Sequence, residues 1–207
     1  MAAPIVAVDP QHPQPRHIAR AVSLLQEGGL IAYPTDTYYA VGCDLFSRRA
    51  IERLYRLKNR ERNKPFSFLC PDLSDVARYA QVSNFAYRTM RSLTPGAFTF
   101  VLEATRLVPD VMVSRPKQVG IRVPDCALAR RLAEELGHPL VTTSATGPEG
   151  TPLLDAKDIK DVLGGSIDLI LDGGVQANEP STVVSLIGDR IEILRQGKGF
   201  IVGAEPG

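Results

Sequence analysis

The sequence predicts a single α/β domain in which one mixed sheet is covered by helices. Three observations carry that prediction. Short apolar runs alternate with segments of helical periodicity from Leu30 to Leu171, the chain then runs into two adjacent strand-like stretches, and no internal repeat, low-complexity tract or linker divides its 207 residues. Alternating strands and helices call for a sheet with helices packed on it, and a terminal hairpin adds antiparallel pairing that a purely parallel doubly wound sheet lacks.

In chain order, residues 1–15 are polar and carry four prolines, so they are expected to be a loosely ordered lead-in to a domain spanning 16–207. His17 to Glu27 places Ile18, Ala21, Val22 and Leu25 on one helical face, with Gly28-Gly29 as the stop. Leu30 to Tyr33 is an apolar strand ended by Pro34, which removes a ladder donor. A hydroxyl-bearing loop, Pro34 to Cys43, opens there. Loops at strand ends gather binding groups because a rigid sheet aims them, although Thr and Asp also form ordinary turns by bonding their own backbone.

Ser47 caps a following helix that buries Ala50, Ile51, Leu54, Tyr55 and Leu57, leaving Arg49, Arg53, Arg56 and, if the helix continues, Arg60 as an opposite stripe. From Arg48 to Lys64 eight Lys or Arg stand against Glu52 and Glu61, in a chain whose net charge is only +1. A charge run is commonly a solvated face, which suits Arg49 and Arg53. The cluster Lys58, Arg60, Arg62 and Lys64 suits it less, because crowded cations repel unless an anion such as phosphate is expected.

Phe66 to Cys70 is the next strand, followed by two short helices, Leu73 to Ala80 and Asn84 to Ser92, with Asp72 and Ser83 as caps. After the turn Thr94-Pro95-Gly96, Phe98 to Leu102 is a strand that contains Thr99. Val119 to Val123 is another, and its lone Arg122 either faces solvent or, if that face is covered, must be paired, for which a carboxylate ligand is one good partner. Cys126 to Leu136 is a helix stopped by Gly137, and Pro139 to Thr143 is a strand opening into a second hydroxyl-rich loop, Ser144 to Pro152. Asp155 to Leu163 is helical, Ile167 to Leu171 extended, Asp172-Gly173-Gly174 a turn, and Ser181 to Leu186 with Arg190 to Leu194 a hairpin around Gly188-Asp189.

Composition narrows the function classes. Hydrophobic residues at 44% and charged residues at 23% describe a globular chain. No apolar run reaches the roughly 20 residues of a membrane span, and no secretory leader pattern opens the chain, so cytoplasmic residence is expected. Cys43, Cys70 and Cys126 are scattered, as are His12, His17 and His138, so neither a zinc site nor a disulfide framework is expected. The three cysteines read as small core residues. Neither a Walker loop nor a Gly-x-Gly-x-x-Gly fingerprint is present.

The ordered series Tyr33-Pro34-Thr35-Asp36-Thr37 with Gly42, Lys58-Asn59-Arg60 with Lys64-Pro65, Thr94-Pro95-Gly96 with Thr99, Arg122-Val123-Pro124, Thr143-Ser144-Ala145, Asp172-Gly173-Gly174, Ser181-Thr182-Val183-Val184 and Leu194-Arg195-Gln196-Gly197 resembles the YrdC/YciO family. The likeness runs from about His17 to Gly199. It implies a twisted, open α/β sheet with a basic concave face. It also implies L-threonylcarbamoyladenylate synthesis, a nucleotidyl transfer from ATP using L-threonine and bicarbonate, which supplies threonylcarbamoyl modification of tRNA adenosine. That chemistry suits a site of cations and hydroxyls, because charge builds on phosphate oxygens and no strong protein acid or base is required.

By this resemblance Thr35, Arg122 and Ser181 contact threonine, and Lys58, Arg60, Thr99, Ser144, Thr151 and Arg195 hold the nucleotide. Mg2+ is expected to be held mainly by phosphate, with no protein ligand. Arg49, Arg53, Arg56, Arg62 and Lys64 are the expected patch for tRNA or double-stranded RNA, and no membrane partner is expected. The chain departs from the catalytic branch in having Thr146 where Ser-x-Asn is usual, Leu69 where a polar residue stands, Pro180 where an acid precedes the Ser-Thr pair, and Ala40 in place of a glycine. These features, with Phe68-Leu69-Cys70, are more similar to the YciO branch. Two alternatives accompany the synthase reading: a non-catalytic nucleotide- or RNA-binding module of the same fold, and a domain whose basic cluster serves solubility alone.

Overall fold

A computed structural model of the chain describes residues 2–59, 66–109, 112, 117–177 and 179–201. Arg60, Arg62 and Lys64 of the basic cluster lie outside the described residues. Ten strands among those described form one twisted mixed sheet: β1 Ile5–Ala7, β2 Ile31–Tyr33, β3 Ala40–Asp44, β4 Ser67–Leu69, β5 Phe98–Glu103, β6 Gln118–Arg122, β7 Leu140–Ser144, β8 Leu169–Asp172, β9 Thr182–Ser185 and β10 Glu192–Arg195. Their order across the sheet is β1-β8-β2-β3-β7-β4-β6-β5-β9-β10. Pairing is parallel for β1–β8, β2–β8, β4–β6 and β5–β9, and antiparallel for the others. The mixed sheet expected from the terminal hairpin is therefore the one observed.

Successive side chains of a strand point to opposite faces, and each face acquires its own core. On one face Ala32, Val41, Phe68, Phe100, Ile121, Val141 and Ile170 pack under the buried residues of α2 (Arg48–Leu57), α3 (Val76–Tyr79), α4 (Asn84–Leu93) and α6 (Ala156–Leu163). On the other, Ile31, Tyr33, Leu69, Leu140, Leu169 and Leu171 meet Ile18, Ala21, Val22 and Leu25 of α1 (Pro15–Gln26) and Leu128, Ala129, Leu132, Ala133 and Leu136 of α5 (Ala127–Leu136). Pro15 begins α1, where its missing N–H has no intrahelical partner to lose. Ser47 and Ser83 accept hydrogen bonds from Ala50 and Ala86 as expected of caps, and Gly137 closes α5 in the left-handed region at φ 81°.

Three local expectations are corrected. The proline-rich start is not wholly a loose lead-in, because Ile5–Ala7 pairs with Ile170–Asp172 as an edge strand. The loop after β2 ends at Tyr39, and Ala40–Asp44 is a central strand paired on both sides. Asp72 caps no helix: its carboxylate accepts from Ser74 N in a local turn, and α3 begins later at Val76.

Cys43, Cys70 and Cys126 are buried free thiols. Burial pushes all three up, Cys70 from 9.0 to about 12. Folding holds them neutral, so the stability they contribute is full below the ordinary thiol value of 9.0 and declines as pH climbs towards about 12. Urea midpoints should accordingly fall from pH 9 upwards, and iodoacetamide should label the chain only after denaturation. Ready labelling of the native chain at neutral pH would contradict this burial.

Candidate functional site

Register alone collects several candidate residues on one face. Gly42 pairs with Thr142, Thr142 with Ser67, Ser67 with Gly120 and Gly120 with Val101, so these five point the same way. Ser144, Arg122 and Thr99 lie two residues further along β7, β6 and β5 and share that face. Helices α1 and α5 cover its β2–β8 end. Small and polar side chains pave the other part, where a large apolar row would have demanded a further helix. Gly42 is required here: a Cβ would lie 2.9 Å from the Tyr33 ring, which crosses β3 so that its hydroxyl meets Thr142 Oγ1 at 2.7 Å.

The loop between β2 and β3 folds over this face onto Arg122. Arg122 Nη2 lies 2.6 Å from Asp36 Oδ1, 2.6 Å from Thr37 Oγ1 and 3.2 Å from Thr35 Oγ1. The Thr35 hydroxyl donates to Tyr38 O at 2.6 Å and accepts from Thr37 N at 3.1 Å, which pins the loop's own turn. Asp36 is held from the other side by Asp125 N at 3.1 Å, just before α5. The face is thus covered, and the carboxylate that pairs with Arg122 is Asp36 of the same chain rather than a ligand's. Arg122 Nε is buried without a hydrogen-bond partner among the described residues. Thr35 and Arg122 thus lie within hydrogen-bond reach of one another.

Ser181, just before β9, forms a second cluster beside the first. Its hydroxyl is 2.9 Å from Thr99 Oγ1, and Arg195 Nη2 donates to its carbonyl at 2.8 Å. Burial, and after it the like charge of Arg122, hold the Arg195 guanidinium below its ordinary value against the opposing influence of Tyr38. Val183 pairs with both Thr99 and Arg195, so Arg195 stands on the same face of the sheet as Thr99 and Arg122. The chain after β10 wraps under Ser181: Gly197 N donates to Thr182 Oγ1 at 2.9 Å, that hydroxyl donates to Gly199 O at 2.6 Å, and Lys198 N donates to Pro180 O at 2.9 Å. Lys198 Nζ crosses to the Asp36 carbonyl at 2.7 Å.

Lys58, at the end of α2, points to the loop after β7. Its ammonium donates to Ser144 O at 3.2 Å and contacts Thr146 Oγ1 directly. Thr146, where Asn is usual, therefore acts as a side-chain partner of Lys58. Thr151 is exposed on the small hairpin closed by Gly147 N donating to Thr151 O at 2.9 Å, and none of its side-chain contacts links it to the other candidates among the described residues. The arginine stripe of α2 divides. Arg49 and Arg56 are exposed, whereas Arg53 pairs with Asp168 at 2.9 Å and donates to Gly28 O and Ser166 O. Arg53 is a tie between elements.

Sequence reasoning missed Asp36 and Thr37 as partners of Arg122, and Lys198. Asp36 stood inside the loop read as a turn; a buried arginine's need for a carboxylate was the signal that could have found it. Among the described residues no three His, Cys, Asp or Glu side chains are gathered as a metal site. Clefts of about 340 and 400 Å³ lie around Gln81, Glu103 and Ile187, at the far end of β5 from Thr99. Among the described residues no helix is long and apolar enough to cross a membrane.

A family model covering Sua5, YciO and YrdC, described as "Telomere recombination", matches residues 23–197. The chain belongs to the Sua5/YciO/YrdC family. Escherichia coli YciO is 39% identical over 94% of this chain and 95% of its own length. Its crystal structure superposes with a TM-score of 0.91, covering 97% of this chain and 98% of that one at 36% identity. A putative threonylcarbamoyl-AMP synthase of Methanocaldococcus jannaschii is 32% identical over 82% of this chain and 80% of the relative. P. abyssi Sua5, solved in complex with L-threonine, superposes with a TM-score of 0.87 at 26% identity, over 94% of this chain and 58% of that one. The family and fold implied by the sequence motifs are those found, and the higher similarity falls on the YciO side.

Proposed function

We propose that this Sua5/YciO/YrdC-family chain is an L-threonylcarbamoyladenylate synthase. The observation that carries the reading is the convergence of Arg122 and Thr35 with Ser181, Thr99 and Arg195 on one face. Support comes also from the M. jannaschii relative's name and from L-threonine in P. abyssi Sua5. In this reading Arg122, whose Nη2 is held by Asp36, pairs with the amino-acid carboxylate through its remaining guanidinium N–H groups, and Thr35 and Ser181 contact the rest of threonine. Arg195, Thr99, Lys58, Ser144, Thr151 and, outside the described residues, Arg60 hold ATP, with Mg2+ carried mainly on phosphate oxygens.

The threonine amine adds to carbon dioxide from bicarbonate, forming a C–N bond and losing a proton. The carbamate oxygen then attacks the α-phosphorus, and the bond to pyrophosphate breaks. Charge that accumulates on the phosphates meets preorganised cations, so the protein's task is orientation and electrostatic stabilisation. Lys58 already donates to oxygens of the 144–146 loop, so a phosphate that takes it must share or displace those contacts.

The decisive assay is pyrophosphate release from ATP and bicarbonate with and without L-threonine, with L-serine as control. Threonine-dependent release is expected, and Thr35→Ala should reduce it at least about tenfold, the scale of a hydrogen bond made to a charged group. Release indifferent to Thr35→Ala would remove the site assignment. Silence of the wild type with ATP still bound would leave a nucleotide- or RNA-binding module, for which exposed Arg49 and Arg56 supply cations.

A further inference from the structure

Lys198 has no part in the roles given so far, yet its side chain joins the two halves of the site. The backbone around it is tied under Ser181 through Pro180 O and Thr182 Oγ1, so the segment from Arg195 to Gly199 has a fixed course. From that course the lysine reaches over to the carbonyl of Asp36, whose carboxylate holds Arg122. One end of this connection carries Arg195, the other carries Arg122. The lysine is exposed, and an exposed ammonium–carbonyl bond opens readily, whereas the buried bonds of Thr182 beneath it do not.

We infer that Lys198 is a positioning residue: it latches the C-terminal strap onto the Thr35–Tyr38 loop and so couples occupancy of the Arg122 end of the site to occupancy of the Arg195 end. With the latch shut, a ligand that holds the loop in place also holds the exposed Lys198 side chain that spans from the strap to it. A second ligand at the Arg195 end then meets a lysine already ordered and binds more tightly without any new contact.

The ligand arm of the test rests on the proposed function; a second arm does not. L-Threonine is titrated calorimetrically into the full chain with and without α,β-methylene-ATP, whose bridge cannot release pyrophosphate. Wild type should bind L-threonine about fivefold more tightly or better with the analogue present. In Lys198→Ala each ligand alone should bind within about twofold of wild type while that enhancement disappears, and Lys198→Arg, which keeps a donor for the carbonyl, should restore it. Wild type without enhancement, or undiminished enhancement in Lys198→Ala, overturns the latch. If wild type binds no L-threonine, the proposed function falls and hydrogen exchange decides the latch. The Thr37 amide, bonded to Thr35 Oγ1, should exchange about tenfold faster in Lys198→Ala than in wild type. Equal protection in the two proteins overturns it.

Discussion

Arg122→Ala is expected to lower folding stability by about 3–5 kcal/mol and to abolish threonine-dependent turnover. The side chains of Arg122 and Asp36 are 11% and 8% exposed and 2.6 Å apart. Truncating the arginine leaves a buried carboxylate whose remaining partner is the Asp125 amide. Thr35 and Thr37 lose a shared donor at the same time. The large cost arises from the charge left behind rather than from the worth of the pair, so Asp36→Ala combined with Arg122→Ala should recover part of it. Urea unfolding of the two single variants and the double variant measures this directly. A loss below about 1 kcal/mol for Arg122→Ala would place the pair with solvent-exposed ion pairs and contradict the covered face.

Gly197→Ala is expected to lower stability by about 1–3 kcal/mol and to weaken ATP binding through Arg195. A Cβ at Gly197 would lie 2.3 Å from Pro180 O and 2.7 Å from the Ser181 carbonyl carbon and oxygen. These are backbone atoms, which have no alternative rotamer, so the strap itself must shift. Arg195 Nη2 would then leave the Ser181 carbonyl that now places it at 2.8 Å. Gly165→Ala is the control, since a Cβ there meets nothing within 4 Å and its φ is ordinary. Thermal unfolding of both variants with ATP titrations distinguishes the outcomes; equal stability of the two would show that the strap is not confined under Ser181.

The helices and most strands were legible because their signals are local. Periodic apolar residues, the caps Ser47 and Ser83 and the stop at Gly137 depend on neighbours within a turn or two. Strand β3 was not legible: Ala40–Asp44 contains a glycine, and it is extended because β2 and β7 pair with it on both sides. Strand β1 likewise owes its conformation to β8, far along the chain.

By itself the sequence determined the α/β class, the mixed character of the sheet, the family, and a set of cations and hydroxyls suited to an anionic ligand. Tertiary structure decided which of them meet. It gave Arg122 a carboxylate from the loop after β2, joined Ser181 to Thr99 and Arg195, set Lys58 on Thr146, and drew Arg53 away to Asp168. The physical reason is that a charge or hydroxyl carries no local preference for its partner. Burial obliges it to find one, and only the crossing of strands and loops determines which groups come within hydrogen-bond reach.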